Sequence, residues 1–234
     1  ILNDFNNTTM SYPTDKTTVD LFEEQVIKTP DAIAVEYEDT KISYRDLNIR
    51  VNQLSNYLES LHLTKNVGIF TNRTIDTIVG ILSILKIGST LVPIDPLYPK
   101  ERIEHMVQTA KLEFILSSSP IANDIHLPII DIAYSNYVEF DKNFEAKPVQ
   151  PNDNLYVIFT SGSTGTPKGL TLTHKNMVNL ICFEKRNYDF LSFENKILQF
   201  ATMSFDVSYQ EIFSALLSGA TLVLIDEIKR KNMD

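Results

Sequence analysis

Only one cysteine, Cys182, occurs in 234 residues, so no internal disulfide can form. A lone thiol reads first as a small buried apolar residue. The four histidines, His62, His105, His126 and His174, are scattered without metal-ligand spacing. Basic residues are also short: 21 Lys and Arg stand against 30 Asp and Glu, a formal charge of -9. That balance argues against nucleic acid as the main partner, because such binding needs a basic surface. No secretory signal opens the chain, since Ile1 to Met10 is polar and Asn-rich. The most apolar stretch, Ile75 to Ile94, is broken by Asp76 and Lys86 and is too short and too charged to span a bilayer. The expectation is a protein of a reducing, cytoplasmic compartment with no membrane partner. Internal repeats and low-complexity tracts are absent too.

What is present is ordinary globular material, 43% hydrophobic and 22% charged, enough for one large domain or two small ones. Residues 1–16 read as a linker rich in Asn, Thr and Ser. Thr17 and Asp20 form a capping pair for a helix that should stop before Pro30. Ala32–Tyr37 is a strand candidate. Ser43 caps a second helix, with Asp46 three residues on and Leu47, Val51, Leu54 and Leu58 on one face. Val67–Phe70 reads as a buried strand. Ile75, Ile78, Leu82 and Leu85 form a helical stripe closed by Gly88. Leu91–Ile94 is a strand, Glu101–Thr109 a helix, and Phe114–Leu116 a strand. Ser117–Pro151, with four prolines, reads as irregular and as a soft internal boundary. Beyond it come strands at Leu155–Phe159, Ile197–Phe200 and Thr221–Ile225. Helices fall at Lys175–Cys182 and at Tyr209–Leu217, the latter ended by Gly219. Strands alternating with helices at this spacing predict an α/β fold with mostly parallel sheets flanked by helices.

The informative segment runs from Tyr156 to Gly169. An apolar strand enters a stretch in which five of the ten residues from Thr160 to Gly169 are Ser or Thr, with glycines at 162, 165 and 169. Glycines expose backbone N–H groups to an anion, hydroxyls add donors, and Lys168 supplies a positive charge. This is not a Walker A loop, because Pro167 stands where that pattern needs Gly. The glycine spacing also excludes the dinucleotide fingerprint, and Gly162-Ser163-Thr164-Gly165 lacks the fifth position of a nucleophile elbow. From composition alone, a polyphosphate cradle and a plain polar surface loop stay equally open.

The loop closely resembles the signature of adenylate-forming enzymes: acyl-CoA ligases, luciferases and the adenylation domains of nonribosomal peptide synthetases. Three further segments resemble core motifs of the peptide-synthetase branch. They are Ile42 to Leu47, Leu85 to Asp95 continuing to Tyr98-Pro99, and Phe205-Asp-Val-Ser208. The opening residues, with Tyr12-Pro13 and Leu21 to Gln25, resemble the join that follows a condensation domain. The resemblance spans the whole chain but only roughly the first half of the family's domain. It implies an incomplete N-terminal subdomain over residues 17–234.

The implied reaction is ATP-dependent activation of an amino acid as aminoacyl-adenylate, followed by loading onto the phosphopantetheine thiol of a carrier protein. Thr160, Ser161, Gly162, Ser163, Thr164, Gly165 and Lys168 would hold the ATP phosphates, with Mg²⁺ helping to neutralise them. Asp206 matches the acidic residue that pairs with the substrate's amino group. Its plainer reading is an exposed helix cap. Phe205 would sit beside the substrate, although by its chemistry it is equally a core residue. Val207 and Gln210 match the next pocket positions, and a pocket beginning Asp, Val, Gln resembles those of proline-activating domains. His174 matches the family and equally suits a helix start. No protein metal ligand and no catalytic residue is assigned within this stretch. The family's adenine-contacting Tyr, Thr-Glu metal site, ribose-binding Asp and catalytic Lys have no counterpart up to Asp234. The remainder of the adenylation domain is therefore an expected partner. A stand-alone acyl- or aryl-acid ligase remains a competing reading, as does a module that binds nucleotide without catalysis.

Overall fold

The structure, a computed structural model, describes residues 10–63, 65–119, 125–160, 167–187 and 194–232. Most of the linker expected over 1–16 lies outside them. Helix α1 (Thr18–Lys28) starts on a closed capping box: Asp20 N donates to the Thr17 side chain, and Thr17 N donates to the Asp20 carboxylate at 2.7 Å. Ser43 accepts from Asp46 N in the same way ahead of α2 (Tyr44–Ser60). The α2 stripe of Leu47, Val51, Leu54 and Leu58 is buried throughout. Between the two helices, β1 (Ile33–Tyr37) folds back on β2 (Thr40–Ser43) as an antiparallel hairpin. The sequence did not announce β2, because Glu38 takes the left-handed turn position with φ 53°. A Glu there carries none of the Asn-Gly or Asp-Gly signal that marks such turns.

Alternating strands and helices follow: β3 (Asn66–Phe70), α3 (Ile75–Lys86), β4 (Thr90–Ile94), α4 (Lys100–Ala110), β5 (Ile115–Ser117) and β6 (Ile129–Asp131). Then come β7 (Asn154–Thr160), β8 (Lys168–Thr173), α5 (His174–Asn187), β9 (Lys196–Gln199), α6 (Asp206–Ser218), β10 (Thr221–Leu224) and the short α7 (Glu227–Lys231). The strands form two sheets. One has the order β2-β1-β10-β9 and the other β6-β5-β3-β4-β7-β8. All neighbours are parallel except β1 with β2 and β7 with β8. The chain thus leaves the four-stranded sheet after β2 and returns to it at β9.

Helix α3 packs on β3 and β4 of one sheet and on β1 of the other. A helix between two sheets must be apolar on every side, and every α3 residue except Asp76 is buried. Its two charges are matched: Asp76 pairs with Arg50, and Lys86 reaches Glu23 at 2.7 Å and Asn52 at 2.6 Å. These partners explain how an apolar helix carries the two charges that break its sequence pattern. Among the described residues no helix is long and apolar enough to cross a membrane.

Four expectations are corrected. Residues 117–151 are not wholly irregular, since β6 extends the six-stranded sheet and Ile130, Ile132 and Tyr137 join the main core. A three-residue strand preceded by Pro128 leaves too little periodicity to read. Cys182 is half-exposed rather than buried. The inward stripe of α5 runs through Met177, Val178 and Ile181, and Cys182 falls beside it. Helix α6 starts at Asp206, three residues before the first apolar periodic position. Lys168 and Gly169 belong to a strand and not to a loop.

Candidate active site

Strands β7 and β8 run antiparallel from Asn154 opposite Thr173 to Thr160 opposite Lys168. Thr160 therefore ends one strand, and Lys168 opens the next directly across from it. The hairpin fixes the two ends of the Ser/Thr/Gly segment next to each other. Ser161, Gly162, Ser163, Thr164 and Gly165 lie outside the described residues. Gly169 has a packing reason of its own: a Cβ there would stand 3.0 Å from Val157 Cγ1 across the ladder. The arm leading into β8 is held from α4, where His105 Nε2 donates to the Pro167 carbonyl at 3.0 Å. Lys168 is exposed.

Asp206 opens α6. Phe205 is the N-cap residue, in extended conformation and with no side-chain cap bond. Among the described residues the Asp206 carboxylate accepts only from the adjacent Val207 N, at 2.9 Å, and not from a later N–H of the helix. Its charge still lies at the favourable end of the helix dipole. Phe205 and Val207 are 59% and 50% exposed, which rules out the core reading of Phe205 among these residues. Gln210, one turn along, donates its amide to Glu184 of α5.

A ring contact joins β7 to α6. Tyr156 of β7 and Tyr209 of α6 are buried with ring centroids 5.0 Å apart. Burial raises the Tyr156 hydroxyl above its ordinary range, and the Asp206 charge adds to the rise. The strand that ends at Thr160 and the helix that begins at Asp206 therefore meet at a tyrosine pair. Such pairs contribute about 0.5–1.5 kcal/mol beyond their buried area.

The segment before Asp206 is anchored by Arg73, which follows β3. Its guanidinium donates to the carbonyls of Gln199 (2.6 Å), Phe200 (3.0 Å) and Ala201 (2.8 Å). Its Nε reaches Glu227 at 3.2 Å. Glu211 of α6 accepts from Phe200 N and Ala201 N, each at 3.1 Å. Arg73 thus ties the six-stranded sheet to the end of β9. It also lines a cavity of about 310 Å³ with Thr71, Asp95, Thr202, Met203 and Asp226, where the carboxyl ends of parallel strands from both sheets converge. Ligands of open α/β sheets bind at such carboxyl ends. Thr160, Lys168 and Asp206 do not line this cavity.

The AMP-binding enzyme family matches residues 22–234. The chain belongs to this family. Gramicidin S synthase 2 of Brevibacillus brevis is 41% identical over 259 aligned residues, covering 100% of this chain and 6% of that protein. Tyrocidine synthase 2 of Brevibacillus parabrevis is 39% identical, covering 97% of this chain and 6% of that protein. This chain therefore spans a small fraction of the length of these relatives. Among solved structures, the N-terminal subdomain of Klebsiella oxytoca NpsA in complex with 3-hydroxybenzoyl-AMSN superposes with a TM-score of 0.80 at 26% identity. It covers 90% of this chain and 53% of that one. The synthetase FmoA3, at a TM-score of 0.86 and 24% identity over 95% of this chain and 24% of that one, shares the fold.

An AMP-binding enzyme needs donors for phosphate, and the described residues fit that need in part. Lys168 offers an exposed cation opposite Thr160 at the end of an antiparallel strand pair. Among the described residues no three His, Cys, Asp or Glu side chains cluster to hold a metal ion. Three contributors escaped the reading of the sequence: Arg73, Tyr156 and Glu184. An Arg between an apolar strand and an apolar helix and a Glu in line with an apolar stripe were the available signals, since charged residues are rarely buried without partners.

Proposed function

We propose that this chain is the first part of an amino-acid adenylation domain of a nonribosomal peptide synthetase. The observation that carries the reading is the coupling of the β7–β8 hairpin to the start of α6 through Tyr156 and Tyr209. It joins a phosphate-type loop to an exposed carboxylate suited to an ammonium group. Thr160, Ser161, Gly162, Ser163, Thr164, Gly165 and Lys168 hold the β- and γ-phosphates of ATP. Asp206 pairs with the substrate's amino group, while Phe205, Val207 and Gln210 line its pocket. Bound Mg²⁺ supplies charge neutralisation on the phosphates. The chain's own contribution is positioning and electrostatic stabilisation of phosphoryl oxygens. The amino-acid carboxylate attacks the α-phosphate and releases pyrophosphate. The aminoacyl group then passes to the phosphopantetheine thiol of a carrier protein, and a condensation domain precedes the chain.

The likeness to gramicidin S and tyrocidine synthases supports an amino acid over a plain acid. The Asp206, Val207, Gln210 series supports proline. Amino-acid-dependent pyrophosphate exchange by the complete domain tests both points. Exchange with proline above the other amino acids is expected. Exchange with aryl acids that lack an amine would instead favour the acid-ligase reading, for which the NpsA complex with 3-hydroxybenzoyl-AMSN is the relevant neighbour.

A further inference from the structure

The inward stripe of α5 runs through His174, Met177, Val178 and Ile181 and ends on Glu184. Glu184 is 6% exposed, at a face where α5 packs on α6. A carboxylate there loses hydration that an apolar side chain would not miss. Among the described residues its two donors are neutral and both come from α6. Ser214 Oγ donates to Oε2, and Gln210 Nε2 donates to Oε1. A carboxylate oxygen accepts and does not donate, so Glu184 dictates which end of the Gln210 amide faces it. The NH₂ end turns inward, and the carbonyl oxygen Oε1 turns away. Gln210 and Asp206 are four residues apart on one helix and so share a face.

We infer that Glu184 is a positioning residue for substrate selection, holding the Gln210 amide so that its carbonyl oxygen faces the substrate beside the Asp206 carboxylate. The inference rests on the pocket reading given above. Two acceptors one helical turn apart suit a cationic amine with at least two N–H donors, as in proline or a primary amino acid. They give no donor to a substrate side chain that only accepts, such as a second carboxylate.

The test is steady-state pyrophosphate exchange by the complete adenylation domain carrying Glu184→Gln, Gln210→Ala or both. Glu184→Gln keeps the side-chain volume but can donate as well as accept, so it frees the Gln210 amide to turn. The expected result is a rise of about tenfold in KM for the preferred amino acid, with KM for ATP unchanged. In the Gln210→Ala background, Glu184→Gln adds nothing further, as required of a residue that acts through Gln210. Equal rises in both KM values, or additive effects in the double variant, would mean that Glu184 only supports the fold and would overturn the inference. A normal Gln210→Ala effect with a silent Glu184→Gln would overturn it alone. A silent Gln210→Ala would remove the pocket reading and the inference with it.

Discussion

Single residues carry most of the chemistry, and their environments set the sign of each expectation. His174 is the first residue of α5 and is 1% exposed. Its Nδ1 accepts from the Thr18 backbone N–H at 3.4 Å and lies 2.8 Å from Thr18 Oγ1. An N–H can only donate, so the ring is neutral with its proton on Nε2. Burial accordingly pushes the imidazole down to about 4, against the opposing charges of Asp153 and Asp20. The folded value is below the unfolded one, so the stability from neutral His174 is present above pH ~6.5 and is lost as the pH falls toward ~4. The loss amounts to about 3 kcal/mol. Denaturant unfolding at a series of pH values should show this decline, and His174→Gln should flatten it. His174 is thus a buried helix-start residue that joins α5 to α1. Lys168→Ala should raise KM for ATP in the complete domain by about tenfold, since a charge-assisted phosphate contact is worth roughly 1.5–3 kcal/mol. An unchanged KM for ATP would remove Lys168 from the phosphate site.

Elements were legible wherever a local signal was strong. The capping residues Thr17 and Ser43, the stripe from Leu47 to Leu58 and the stop at Gly219 were all readable. Gly219 takes φ 93°, and a Cβ there would stand 2.6 Å from Gln25 Nε2. Gly219→Ala should therefore destabilise the protein by about 1–2 kcal/mol in thermal unfolding, from the left-handed backbone alone. Elements held by tertiary partners were not legible. β8 has only Leu170 and Leu172 to mark it, and Leu170 is exposed. It exists because β7 offers a ladder. The start of α6 was hidden because Phe205, Asp206 and Val207 face outward, and the segment leading to it is anchored by Arg73, some 130 residues earlier in the chain. Arg73→Ala should remove the guanidinium donors to the carbonyls of Gln199, Phe200 and Ala201, of which Ala201 keeps Gln199 Nε2 at 2.7 Å, and cost on the order of 3 kcal/mol. Arg73→Lys should recover only part of it, because an ammonium lacks the planar fork. Equal melting temperatures for the wild type and Arg73→Ala would contradict this anchor.

On the scale of the molecule, two mostly parallel sheets enclose an apolar helix, and the chain crosses between the sheets twice. That architecture followed from the alternation of strands and helices in the sequence, but the division into two sheets did not. Sheet membership depends on long-range pairing, such as Val35 with Leu222, which leaves no mark on local periodicity. The candidate site was legible at its motif residues and silent about its supports. Asp206 and Thr160 stand out by pattern, whereas Tyr156, Tyr209 and Glu184 look like ordinary core positions until the fold brings them together. The proposed function needs both the hairpin bearing Lys168 and the helix bearing Asp206, which meet at Tyr156 and Tyr209. The measurement closest to this claim is amino-acid-dependent pyrophosphate exchange by the complete domain, wild type against Asp206→Ala, with ATP binding followed in parallel. Amino-acid activation should fall by at least about tenfold while ATP affinity is kept, as expected for loss of a charged substrate contact. Unchanged amino-acid activation in Asp206→Ala would contradict the assignment of this chain as an amino-acid-activating domain.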